Sequence, residues 1–90
     1  MAKEKTKPIE STQQLEEPVH ELVLYNDDIN DFDYVIESLI DVCNHDPVQA
    51  EQCTLIAHLK GKCTVLSGSR EELEPPYKGL TDRKLTVEIM

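Results

Sequence analysis

Four carboxylates stand close together where an apolar segment of the sequence gives way to a polar one. They are Asp27, Asp28, Asp31 and Asp33, within a stretch of seven residues. Converging carboxylates can bind a cation, because they form charge-assisted hydrogen bonds once a positive group arrives. The same residues are also typical of a solvated turn followed by a helix, whose N-terminus favours negative charge. Composition alone leaves both interpretations open, and the surrounding residues must decide between them.

The spacing of potential ligands does not support a metal site. Counted from Asp28, an EF-hand calcium loop needs an oxygen ligand at its fifth position, Gly at the sixth and Glu at the twelfth. Phe32, Asp33 and Leu39 stand there instead. The potential zinc ligands are Cys43, His45, Cys53, His58 and Cys63. The three cysteines stand ten residues apart, more widely than the paired cysteines of structural zinc sites. We therefore expect no metal and no cofactor, and we expect the cysteines to be free thiols.

The sequence also lacks the motifs of nucleophilic and phosphate chemistry. Neither the G-x-S-x-G elbow nor the G-x-x-x-x-G-K-[ST] loop is present, and we expect no enzymatic activity. His58 is a candidate of another kind, because its helix should pack beside the strand end that carries Asp27 and Asp28. A histidine and two acids would then converge from separate elements. A histidine in a last helical turn is, however, also favoured by the helix dipole.

Strands and helices that would position these residues follow from apolar periodicity and from helix caps. Strands are predicted at 19–25, 63–67 and 85–90. Asn30, Asp46 and Ser69 are placed to cap three helices, because their side chains can accept from backbone N–H groups one turn on. Gly61 is a left-handed stop for the second helix, and Pro75-Pro76 must interrupt or re-aim the third. The order β-α-α-β-α-β predicts an α+β fold, a two-layer sandwich in which helices cover a three-stranded sheet.

Length and charge restrict the domain count and the partners. Ninety residues allow one small domain, predicted at 18–90 after a polar flexible tail at 1–17. Nine Lys and Arg against eighteen Asp and Glu leave a formal net charge of −9, which is the wrong sign for nucleic acid or an anionic membrane. We expect neither as a partner, whereas a cationic partner fits. No apolar run is long enough for a transmembrane helix or signal peptide, and the expected location is the cytoplasm.

The segments LVLYNDD and AHLKG, with Phe32, Val35 and Ile36 between them, resemble the ClpS family, the adaptors of the ATP-dependent Clp protease. The resemblance runs without a gap from Val19 to Lys62 and is looser beyond. It implies a fold similar to the C-terminal domain of the ribosomal stalk protein, in agreement with the predicted element order. It also implies a monomeric binding module. Such a module would recognise proteins with a destabilising hydrophobic N-terminal residue (an N-degron) and deliver them to the N-terminal domain of a Clp AAA+ unfoldase.

The resemblance further implies a binding site in two parts. The residues that would bind the substrate's α-amino group are Asn26, Asp27, Asp28 and His58. The residues that would line a pocket for the first side chain are Asn30, Phe32, Val35, Thr54 and Ala57. An α-ammonium group offers three donors, which a carbonyl, carboxylates and a neutral imidazole nitrogen can accept. A free amine and an apolar side chain would thus be recognised together.

Some positions depart from the family pattern. Phe32 stands where the family usually has a methionine, and Thr54 and Ala57 stand where it usually has larger aliphatic residues. Phe32 is stiffer than methionine, so it either narrows the pocket or tilts aside. Thr54 and Ala57 predict a wider pocket with a more polar base and a preference shifted toward Trp and Tyr. Glu71 matches a family residue that docks the unfoldase, but Pro76 replaces a docking lysine, so the identity of the unfoldase stays open. The alternative is a ClpS-like protein-docking module without recognition of N-terminal residues.

Overall fold

The computed structural model describes residues 18–90, and the predicted tail at 1–17 lies outside the described residues. The elements are β1 (His20–Tyr25), α1 (Phe32–Cys43), α2 (Pro47–Lys60), β2 (Lys62–Gly68), α3 (Arg70–Asp82) and β3 (Val87–Ile89). This order confirms the predicted α+β fold. None of the helices within the described residues is long and apolar enough to cross a membrane.

The sheet is antiparallel, and β1 is its central strand, with β2 on one side and β3 on the other. The core lies between one face of this sheet and the helices. Leu22 of β1, Leu39 of α1, and Leu73 and Leu80 of α3 are completely buried there. Because every element contributes apolar side chains to one core, both ends of β1 are fixed relative to the helices.

Two of the predicted helix caps and the predicted helix stop are present. The Asp46 side chain accepts a hydrogen bond from the Gln49 backbone, at the start of α2. Ser69 and Glu72 form a reciprocal capping box at the start of α3. Gly61 ends α2 with φ of 98°, a left-handed conformation that glycine adopts without steric cost.

The predicted cap of the first helix is wrong by one residue. Asp31 occupies the cap position of α1, and its side chain makes no capping hydrogen bond. Asn30 instead donates through its side-chain amide to the Asp27 carboxylate and to the Lys84 carbonyl. These partners lie outside α1, and the second lies far along the chain, so a local capping rule could not identify them.

The third helix continues through Pro75 and Pro76, so of the two predicted effects, interruption or re-aiming, interruption is wrong. A proline removes one intrahelical hydrogen bond and crowds the carbonyl four residues earlier. Those carbonyls belong to Glu71 and Glu72, which are exposed, so water can hydrate them. Leu73 and Leu80 anchor the helix in the core on both sides of the prolines, and tertiary packing thus outweighs the local cost.

His45, which follows α1, contributes a buried polar contact that can be tested. Its side chain is 4% exposed, and its Nε2 lies 2.7 Å from the Val65 carbonyl oxygen. Since the carbonyl can only accept, Nε2 donates. We expect His45→Ala to lower the free energy of unfolding by about 1–3 kcal/mol, because it leaves the carbonyl without a donor. Denaturant unfolding measures this loss.

His20 offers a matched control for the His45 prediction. Its Nδ1 lies 3.2 Å from the Met90 carbonyl oxygen, but this contact is exposed. Water can replace the lost donor there, so His20→Ala should change the free energy of unfolding by less than about 0.5 kcal/mol. An equal loss of unfolding free energy in the two variants would show that burial of the His45 hydrogen bond does not contribute to stability.

Candidate functional site

A cavity of about 300 Å³ opens where the end of β1 meets the start of α1 and the second half of α2. Its lining includes all nine residues assigned to substrate binding: Asn26, Asp27, Asp28, Asn30, Phe32, Val35, Thr54, Ala57 and His58. The remaining lining residues are Leu24 and Tyr25, which the sequence analysis did not assign, and Asp31, which it named as one of the four clustered carboxylates. Leu24 and Tyr25 directly precede the Asn26-Asp27-Asp28 motif, and this adjacency in the sequence could have identified them as lining residues.

The loop between β1 and α1 is held by the Asp27 carboxylate. Asp27 Oδ1 accepts hydrogen bonds from the backbone N–H groups of Ile29 (3.0 Å) and Asn30 (2.9 Å). Asp27 Oδ2 accepts from Asn30 Nδ2 at 3.0 Å and from Thr86 Oγ1 at 3.2 Å. Asn30 Nδ2 also donates to the Lys84 carbonyl at 2.9 Å. The loop is therefore fixed to the segment that leads into β3, in advance of any ligand.

These hydrogen bonds also set the charge state of Asp27. Partial burial acts to raise its pKa, but the hydrogen bonds from Asn30, Ile29 and Thr86 outweigh this effect and hold the pKa below its usual range. Asp27 is thus ionised at neutral pH. It organises the loop, a task that the sequence analysis did not assign to it.

His58 is brought beside the acidic loop by a backbone contact. The Asn26 N–H donates to the Gly61 carbonyl at 2.9 Å, which ties the end of β1 to the end of α2. The Phe32 ring meets the His58 ring edge to face, with centroids 6.3 Å apart and an angle of 89° between the planes. Such a pair contributes about 0.5–1.5 kcal/mol and orients both rings. Phe32 is 38% exposed, so the pair lies at the mouth of the cavity.

Two small side chains of α2 form the base of the cavity. Thr54 and Ala57 are 4% and 3% exposed, respectively. Thr54 Oγ1 donates to the Ala50 carbonyl of its own helix at 2.8 Å. The hydroxyl proton is therefore not available to a ligand, and the base is less polar than the presence of threonine alone suggests.

The electrostatic character of the cavity is acidic at its rim. The lining contains Asp27, Asp28 and Asp31 and no Lys or Arg. Clustered negative charges in a partly enclosed site favour the binding of a cationic group. Within residues 18–90, no set of three or more His, Cys, Asp or Glu side chains is arranged to hold a metal ion. The acidic rim and the small side chains at the base can together accept an organic cation that carries an apolar group.

Glu71, the residue matched to unfoldase docking, lies elsewhere. It stands in the first turn of α3, it is exposed, and it is not among the residues that line the cavity. A partner that contacts Glu71 can thus leave the cavity open.

Comparisons with known proteins identify relatives of this fold. The family model described as ATP-dependent Clp protease adaptor protein ClpS matches residues 15–88. A similar solved structure is that of Agrobacterium tumefaciens ClpS2 bound to L-phenylalaninamide, with a TM-score of 0.75 and 22% sequence identity. The match covers 80% of this chain and 94% of that chain. No curated protein sequence is significantly similar to the chain. The structural likeness confirms the predicted fold.

Proposed function

The chain belongs to the ClpS family of Clp protease adaptors, and we propose that it recognises proteins by a free N-terminal α-amino group and a large apolar first side chain. The observation that carries this proposal is the cavity at the end of β1, where an acidic rim lies beside a base of small side chains. Agrobacterium tumefaciens ClpS2 was solved with L-phenylalaninamide, which combines a free α-amino group with an aromatic side chain.

The rim of the cavity supplies the groups for an ammonium ion. The Asp28 carboxylate, the Asn26 side-chain carbonyl and a neutral His58 ring nitrogen can accept its three protons. Each charge-assisted hydrogen bond contributes about 1.5–3 kcal/mol. Asp27 already accepts several hydrogen bonds within the loop, so its main contributions are its negative charge and the position of its neighbours.

The base of the cavity supplies the contact for the first side chain. Val35, Thr54 and Ala57 line this part, and Phe32 lies at its mouth. Burial of a Leu or Phe side chain against them should contribute about 1.5–3 kcal/mol. The amine and the side chain are thus bound by different elements, and loss of either contact weakens the complex.

We further propose that the bound protein is delivered to the N-terminal domain of a Clp AAA+ unfoldase. The position of Glu71 on α3, outside the cavity lining, is compatible with docking while the substrate stays bound. This role makes the chain a binding module that catalyses no reaction itself. Pro76 is part of the same helix, so the docking surface beside Glu71 has no lysine at that position.

Acetylation of the peptide amine tests the proposal directly. A fluorescent peptide beginning Phe-Arg should bind, and its N-acetylated form should bind at least about 100-fold more weakly. The reason is that acetylation removes the charge and two of three donors, each worth about 1.5–3 kcal/mol. Fluorescence anisotropy measures both affinities. A peptide with a free amine and Ser in place of Phe is the control for the side-chain contact.

The alternative function makes the opposite prediction for the same titration. A protein-docking module without N-terminal recognition would bind the free and the acetylated peptide equally, or bind neither. Either result would overturn the proposed recognition and leave the family and the fold unchanged.

A further inference from the structure

Two thiols lie near the same backbone carbonyl oxygen between α2 and β2. Cys53 Sγ of α2 lies 3.9 Å from the Thr64 carbonyl oxygen, and Cys63 Sγ of β2 lies 3.5 Å from the same oxygen. Both cysteines are half-buried, whereas Cys43 is buried. A small reagent can therefore reach the first two thiols more easily than the third.

The Cys63 thiol also affects the acidity of Cys53. Burial, and next a hydrogen bond with the Cys63 thiol, raise the pKa of Cys53 to about 12. Burial alone raises the pKa of Cys43 to about 11. Cys53 is thus protonated at neutral pH, and its nearest polar partners are the thiol and the neighbouring carbonyl of β2.

We propose that Cys53 and Cys63 form an oxidation site, at which hydrogen peroxide converts the two thiols into a reversible disulfide. The Cys63 sulfur attacks one peroxide oxygen, the O–O bond breaks, and a sulfenic acid and water result. The Cys53 sulfur then attacks the sulfenic sulfur, the S–O bond breaks, and the hydroxyl leaves as water with the Cys53 proton. Each sulfur loses one electron, and the two peroxide oxygens gain them.

The position of this pair connects it to the cavity. The chain segment between the two cysteines carries Thr54, Ala57 and His58, which form one wall of the cavity. A disulfide would link α2 to β2 and close this segment into a ring. Oxidation therefore restricts the movement of that wall, whatever ligand the cavity takes, so the inference does not depend on the proposed function.

Mass spectrometry of the oxidised full-length chain tests the site. The reduced protein is treated with equimolar hydrogen peroxide, its remaining thiols are alkylated, and it is digested with trypsin and a Glu-specific protease. Cleavage at Glu51 separates Cys43 from Cys53, and cleavage at Lys62 separates Cys53 from Cys63. We expect the loss of two hydrogen atoms per chain and one cross-linked peptide pair that joins Cys53 to Cys63, which dithiothreitol separates. A pair that includes Cys43, a disulfide between chains, or sulfinic acid without a disulfide would overturn the proposal.

Variants and hydrogen exchange complete the test. Cys43→Ala should still form the disulfide, and Cys53→Ser and Cys63→Ser should not. The wild-type peptide map keeps the proposal falsifiable even if a variant fails to fold. In the oxidised wild-type protein, backbone amides of the segment between Cys53 and Cys63 should exchange more slowly than in the reduced protein. Unchanged exchange would overturn the connection between the disulfide and the cavity wall.

Discussion

Asp27→Ala is expected to weaken binding of a peptide beginning with Phe by at least about 100-fold, equivalent to about 2.7 kcal/mol. The substitution removes a negative charge from the cavity lining. It also leaves the backbone N–H groups of Ile29 and Asn30 without their acceptor, so the loop loses the contacts that position Asn26 and Asp28. Fluorescence anisotropy of the free-amine peptide measures the loss.

Two further variants separate the two roles of Asp27. Asp33→Ala removes a nearby carboxylate that does not line the cavity. Its affinity should stay within about twofold of that of the wild type, because the position of the negative charge and not the total charge determines binding. Asp27→Asn keeps one oxygen that can accept from the backbone but removes the charge, so its affinity should fall between those of the wild type and Asp27→Ala. Circular dichroism confirms that each variant is folded. If folded Asp27→Ala bound the peptide with wild-type affinity, Asp27 would have no role in peptide binding.

The sequence predicted the element order because the starts of α2 and α3 and the end of α2 depend on local contacts. Asp46 and Ser69 accept hydrogen bonds from residues three positions later, and Gly61 adopts the left-handed conformation that ends α2. Rules of this kind need no knowledge of the rest of the chain. The same locality explains why the residues that resemble the ClpS motifs could be assigned to β1, α1 and α2 before the fold was known.

The features that sequence analysis missed depend on distant contacts. Asn30 binds the Lys84 carbonyl, 54 positions away, so its side chain serves the loop and not the helix cap. The prolines of α3 are tolerated because Leu73 and Leu80 are anchored in the core. In each case a tertiary interaction outweighs a local preference. Contacts within the folded protein also determine the size and polarity of the cavity, which sequence patterns predict least well.

Thr54 shows how this limit affects a prediction of specificity. A threonine at the base of a pocket suggests a polar surface, but its hydroxyl donates to Ala50 within the helix. What remains toward a ligand is mainly the reduced size of Thr54 and Ala57. Size, and not polarity, is therefore the property that should set the preference among first side chains.

The wild-type protein is expected to prefer Trp- and Tyr-initiated peptides to Leu-initiated ones, and Ala57→Leu should reverse this order. Ala57 is 3% exposed at the base of the cavity, so a larger side chain there takes volume from the ligand. The loss of aromatic burial, about 1.5–3 kcal/mol, corresponds to about 10- to 100-fold in affinity. A Leu side chain reaches less deeply into the cavity, so a Leu-initiated peptide should lose less affinity. Competition among Leu-, Phe-, Tyr- and Trp-initiated peptides measures the order in each variant.

Gln52→Leu is the matched control for this prediction, because it adds the same side chain to an exposed position of α2 that does not line the cavity. Its order of preference should equal that of the wild type. The depth of the cavity, moreover, limits only the contact with the first side chain of the peptide. N-acetylation should therefore still weaken binding to Ala57→Leu, for any peptide that this variant binds. A dominant preference of the wild type for Leu would contradict the size argument. Uniform weakening of all four peptides by Ala57→Leu would instead indicate that the substitution disturbs the amine-binding rim.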